Sequence, residues 1–266
     1  MKQLRNGIFI LFALMGNLMA FEVDPYKEAS LLETFSTNCL QMTQSQQMLK
    51  AYVMIGLKSN FQDPKKDLKK AIVVYDNRMH KVRDYFHEKL GSHDDAKKSF
   101  DEALVIWKES KAMLEAEPTK ENALKIRTNF LLMINKLLEG TKPLATPDLE
   151  LISLTGKLCR KPLEITVAYL MKIWGAEIDA YDSVVTHIID NYGKNLIILG
   201  SNELNNKESK ALLEKAKREF TFFQIMSKAK SRFIPSLLSK KADNNFLIIR
   251  HIKQVFKEEA KKHSKW

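Results

Sequence analysis

The chain has few of the residues that end helices or staple small folds: two cysteines, nine glycines and seven prolines in 266 residues. Two cysteines cannot hold a disulfide-dense scaffold together, and so little glycine and proline argues for long helices joined by few turns. There is no Gly-rich phosphate loop, no G-x-S-x-G, no H-E-x-x-H, and no carboxylate pair that stands out from helical surface charge. The sequence therefore offers no support for catalysis. His80, Asp84 and His87 share a helical face with His93 close by, but their spacing is not that of a zinc site, and they read as solvated surface with no metal or cofactor. After the first residues no apolar run approaches the roughly 20 residues of a bilayer span. Leu131 to Ile134 and Leu196 to Leu199 are much too short.

Acidic residues are also in deficit. Lys and Arg number 43 against 32 Asp and Glu, for a formal charge of +11. Lys2 and Arg5, an apolar run over residues 7–15 and a small residue at Ala20 give residues 1–20 the pattern of a secretory signal peptide, with the mature chain beginning near Phe21. The expected location is the periplasm. A basic protein there meets anionic surfaces or acidic partners rather than nucleic acid. The basic excess gathers at the end, where residues 250–266 carry Arg250, Lys253, Lys257, Lys261, Lys262 and Lys265.

Hydrophobic residues make up 45% of the chain, enough for a substantial core. In residues 30–58 Leu32, Phe35, Met42, Leu49 and Val53 recur at helical spacing. Asp63-Pro64 opens a second helix with the stripe Leu68, Ile72, Tyr75, Met79, Val82 and Phe86, which Gly91-Ser92 ends. A third helix covers residues 94–115, and a fourth runs from Pro118-Thr119 to about Glu139. The run GTKPLATP, residues 140–147, reads as a joint. Beyond it the order repeats over residues 148–174, 176–199, 207–231 and from Pro235 to about His263. Asn191-Tyr192-Gly193 and Gly200-Ser201-Asn202 suggest a sixth helix that is interrupted or short, and Pro162 should kink the fifth.

The two halves also match in residues. NCLQMTQSQQMLKAYVMIGL (38–57) lies 117 positions before TGKLCRKPLEITVAYLMKIW (155–174), aligning Ala51-Tyr52 with Ala168-Tyr169. Asn129-Phe130-Leu131-Leu132 lies 116 before Asn245-Phe246-Leu247-Ile248. The expected fold is all-α, two tandem antiparallel four-helix bundles, with repeat one in residues 21–142 and repeat two in 143–266.

The first helix of each repeat resembles the opening of the periplasmic sensor domain of type IV pilus methyl-accepting chemotaxis transducers, related to nitrate/nitrite sensor-kinase input domains. That opening has the form A-G-R-Q-R-M-L-[ST]-Q-[KR]-M followed by a small residue and Tyr. Repeat one keeps Ser45, Gln46, Met48, Leu49 and Tyr52, while repeat two keeps Gly156, Lys157, Ala168-Tyr169-Leu170 and Trp174-Gly175. The resemblance implies a sensory or binding component. With no membrane-crossing output helix, it would signal through a membrane receptor or another periplasmic protein. The family's two arginine positions fall on Leu40 and Met42 in repeat one and on Lys157 and Cys159 in repeat two, with Arg160 adjacent.

Gln41, Ser45, Met48 and Tyr52 lie on one stripe of the first helix. If the repeats pack as an internal pseudo-dimer, that stripe would face Lys157, Arg160 and Tyr169. A small anion or polar molecule would then bind through Gln41, Ser45, Tyr52, Lys157, Arg160 and Tyr169. The other reading keeps the family's packing without a ligand, as a structural adaptor. Cys39 and Cys159 sit in the same two segments, where an oxidising compartment would suit a disulfide and two buried free thiols are the alternative.

Overall fold

In the computed structural model, which describes residues 31–59, 61–228 and 234–263, the chain forms eight α-helices and, among those residues, no strand. The signal-peptide reading of residues 1–20 lies outside the described residues, as does the expected continuation of the seventh helix over residues 229–231. The helices are α1 (Leu31–Gly56), α2 (Pro64–Lys89), α3 (Asp94–Glu115), α4 (Lys120–Thr141), α5 (Pro147–Trp174), α6 (Tyr181–Gly200), α7 (Lys207–Lys228) and α8 (Pro235–His263). None of the described helices is long and apolar enough to cross a membrane.

Local chemistry sets the boundaries. The Asp63 side chain accepts from the Lys66 amide with Pro64 in the first turn, so α2 starts with a satisfied cap. Thr119 and Thr146 cap α4 and α5 in the same way through the amides of Asn122 and Leu149. Gly175 ends α5 with φ of +77°, a left-handed conformation that glycine adopts without strain. The expected joint is tighter than it reads. Gly140 belongs to α4, and a Cβ there would come within 2.5 Å of the Phe100 ring, so the glycine serves a close helix contact. Only a 3-10 turn over Lys142–Leu144 and two further residues separate the bundles. α6 runs unbroken through 191–193 and is short because it starts at Tyr181, while α5 remains helical through Pro162.

Each repeat closes into a ring of four helices. In repeat one α1 packs on α2 and α4, and α3 on α2 and α4; in repeat two α5 packs on α6 and α8, and α7 on α6 and α8. Both cores turn on a buried tyrosine at the same repeat position. Tyr75 lies 4.3 Å from the Trp107 ring centroid and reaches Met133 Sδ, and Tyr192 lies 3.6 Å from Phe220 and donates to Asn245 Oδ1 at 2.9 Å. These tyrosines are 117 positions apart. The all-α architecture of tandem antiparallel four-helix bundles is thus the observed fold.

The two rings meet along α1 and α5. A Cβ on Gly156 would lie 2.8 Å from Cys39 Cβ, and one on Gly56 would run into the Trp174 ring. Position 39 therefore stands level with 156, and 56 with 174, so the two helices run parallel in the register of the sequence repeat. That is the geometry of a pseudo-twofold axis along the helices. It encloses α1 and α5 on nearly every side. Thr34, Asn38, Gln41, Thr43, Gln44, Ser45, Gln46 and Lys50 are all buried on α1.

Candidate functional site

The parallel register decides which way each residue of α1 points, and it corrects the expected site. Gln41 Nε2 donates to the Tyr75 carbonyl at 3.5 Å, into the core of repeat one. Ser45 Oγ donates to the Met42 carbonyl of its own helix. Tyr52 OH donates to the Glu117 carbonyl and accepts from the Thr119 amide, pinning the α3–α4 loop. The stripe Gln41, Ser45, Tyr52 is turned inward and does not face repeat two. On α5, Lys157 is exposed, Arg160 is buried against Glu164, and Tyr169 lies near Tyr181 at the start of α6. These six residues are not brought together, because a helix enclosed by two bundles has more than one buried face.

Cys39 and Cys159 are both free, buried thiols rather than the halves of a bridge. The register puts Cys39 opposite Gly156, a turn away from Cys159 on α5. Burial pushes the thiols up to about 11 and about 12 respectively, so both are neutral at pH 7.

A cavity of about 360 Å³ opens instead where α1, α4, α5 and α6 converge. Its polar lining comes from Gln46, Arg127, Lys161, Glu164, Ser183 and His187. Gln46 is 2% exposed, and its Nε2 has no hydrogen-bond partner. Glu164 accepts from Arg160 Nε at 2.5 Å and from Lys161 Nζ at 2.9 Å. Burial opposes its ionisation, yet Arg160 and Lys161 outweigh burial and hold the carboxyl below its usual range. Arg127 makes no hydrogen bond or ion pair among the described residues. Burial lowers its pKa, and Glu164 is the one charge that acts against this.

The opposite seam shows what Arg127 lacks. The repeat partner of Arg127 is Asp243, 116 positions on, and that of Val167 is Lys50, 117 positions back. Lys50 Nζ and Asp243 Oδ1 form a seam-crossing ion pair at 2.6 Å, with side chains only 10% and 14% exposed. Asp67, the counterpart of Val184 in the cavity wall, stands close enough to feel both charges. One seam is therefore closed by its own ion pair. In the other, Val167 stands in place of the pair's lysine and Val184 in place of Asp67, leaving the guanidinium and an orphaned amide donor to face a cavity. Paired N–H donors on a fixed plane suit a carboxylate or a planar oxyanion. No group of three or more His, Cys, Asp or Glu among the described residues is placed to hold a metal.

Sequence reasoning missed Arg127 because it confined the search to the first helix of each repeat. The 116-position offset that pairs Asn129 with Asn245 also pairs Arg127 with Asp243, and that reversal of charge was the available signal. No protein-family model, curated protein or solved structure matches the chain.

Proposed function

We propose that the chain is a soluble periplasmic sensory or binding protein, related to chemotaxis- and nitrate-type input domains, that takes one small anion in the cavity between its repeats. The observation that carries this reading is Arg127, which meets a cavity where its repeat counterpart meets Lys50. An anion there would complete the seam as Lys50 and Asp243 complete the other, linking α4 of repeat one to α5 and α6 of repeat two. Such a ligand favours one packing of the two bundles, and a membrane receptor or other periplasmic protein would read that packing as the signal. The reading requires no catalysis.

Ligand-dependent melting tests it. Nitrate, nitrite, acetate and single amino acids are screened against the full chain, and a ligand at 100 times its Kd stabilises by about 2.7 kcal/mol. Arg127→Gln should abolish that shift. If none of these anions raises the melting temperature, or if Arg127→Gln leaves the shift intact, the reading fails. A ligand-free adaptor is the second reading, favoured by the adjacent Ile197 and Ile198, which are 70% and 57% exposed on α6. Retention of a periplasmic partner that is lost on Ile197→Ser, with no anion response, would support it.

A further inference from the structure

A second cavity, of about 500 Å³, lies between the first turns of α1 and the second half of α8. It shares no lining residue with the Arg127 cavity. Three cations line it, Arg250, Lys253 and Lys257, against one carboxylate, Glu33. Lys257 is committed to Glu33 at 2.6 Å, and His251 contacts Glu208 at 3.0 Å. Lys253 is different. It is 8% exposed, its Nζ donates to the Ser36 carbonyl at 3.3 Å, and no carboxylate among the described residues is bonded to it. Burial lowers its pKa, and Lys257 and Arg250 add to the effect. The nearby thiols Cys39 and Cys159 are neutral at pH 7 and supply no counter-charge.

Packing does not demand these charges. The repeat counterparts of Arg250, Lys253 and Lys257 on α4, 116 positions back, are Ile134, Leu137 and Thr141, all buried. The same helix position is filled without cations in the other bundle. A buried lysine with no carboxylate bonded to it among the described residues is costly to keep charged unless an anion balances it. Among the described lining residues three cations face one carboxylate, and a dianion bound beside Lys253 would favour its charged form while also meeting Arg250.

We propose that this cleft is a binding site for a dianionic oxyanion, phosphate or a phosphate monoester, held by Lys253 and Arg250 with the Ser36–Thr37 turn of α1 as its opposite wall. The charge balance distinguishes it from the monoanion site at Arg127.

Isothermal titration of the full chain provides the test, with inorganic phosphate, glycerol 3-phosphate, and phosphatidylcholine vesicles with and without phosphatidic acid. Phosphate or its ester should bind, and binding should weaken at least tenfold in Lys253→Met and in Arg250→Gln. Arg127→Gln should leave it unchanged, so the two sites succeed or fail separately. Arg250 is exposed, so its variant folds even if Lys253→Met does not. Binding only to phosphatidic acid vesicles, lost in the same variants, would identify a lipid headgroup as the source of the dianion. Binding to none of the three probes, or binding that Arg250→Gln leaves intact, would overturn the proposal.

Discussion

Lys50→Met tests the seam most directly. The substitution keeps the length and apolar stem of the side chain but removes the charge that meets Asp243 at 2.6 Å. Asp243 would then stand half-buried on α8 near Asp67 with no cation bonded to it. Asp67 is already pushed above its usual range, first by burial and then by Asp63 and Asp243, against the pull of Lys50 and Lys66. Stripping one partner from a buried pair costs about 3–5 kcal/mol. With side chains 10% and 14% exposed, some solvent reaches this pair, so the low end, about 3 kcal/mol, is expected. For a chain of this size that is about 6–12 °C in Tm, at roughly 2–4 °C per kcal/mol. Removing both charges in Lys50→Met/Asp243→Leu should restore stability to within about 1 kcal/mol of the native chain, because an apolar pair of similar volume replaces a buried ion pair at little cost. Urea melts at pH 7 on the native chain, both single variants and the double variant give the coupling energy. A coupling below about 1 kcal/mol, with the double variant simply adding the two single losses, would refute the view that this contact locks the repeats.

Two further outcomes concern the opposite seam and the contact of α1 with α5. Glu164 has a lowered pKa in the folded chain, so its contribution is present above the unfolded carboxylate pKa of about 4.3 and is lost as pH falls through the lower folded value. Glu164→Gln should therefore cost about 3 kcal/mol at pH 7, with the gap to the native chain closing below about pH 4; a gap of constant size down to pH 3 would count against the ion cluster. Gly156→Ala places a Cβ 2.8 Å from Cys39 Cβ and should destabilise by about 1–3 kcal/mol, while Gly193→Ala, with nothing within 4 Å, should stabilise by about 0.5–1 kcal/mol. Equal effects from the two alanines in thermal melts would show that α1 and α5 are not in the stated register.

The helices could be read from the sequence because their punctuation is local. Asp63-Pro64, Gly91, Thr119 and Gly175 each mark an end where a cap or a left-handed turn is found. Gly140 misled because a glycine beside prolines reads as loop, whereas here it admits the Phe100 ring into a helix contact. The site failed to emerge for a different reason. A single polar or apolar stripe assigns a helix face only when one face is buried. Gln41 and Tyr52 serve the core of repeat one, Cys39 faces α5, and Lys50 crosses to α8, all from the same helix. Periodicity cannot separate three buried directions. The repeat offset can, and Tyr75 with Tyr192 was visible at 117 positions without being used.

That offset also explains how one chain can carry a single asymmetric seam. In a dimer of identical subunits every contact across a twofold occurs twice, so an ion pair that closes one seam closes the other. Here the equivalent positions lie in one chain and differ in residue type. Lys50, Asp67 and Asp243 fill one seam, and Val167, Val184 and Arg127 stand at the same places in the other. The first arrangement fixes the relative position of the bundles without help. The second leaves a guanidinium with no hydrogen-bonded or ion-paired partner among the described residues, influenced only by the Glu164 carboxylate of the same cavity. Because both bundles pack on the same parallel helices, an anion at Arg127 would act on a seam whose opposite edge is already held. On the proposed reading, its binding energy would go into closing that one seam.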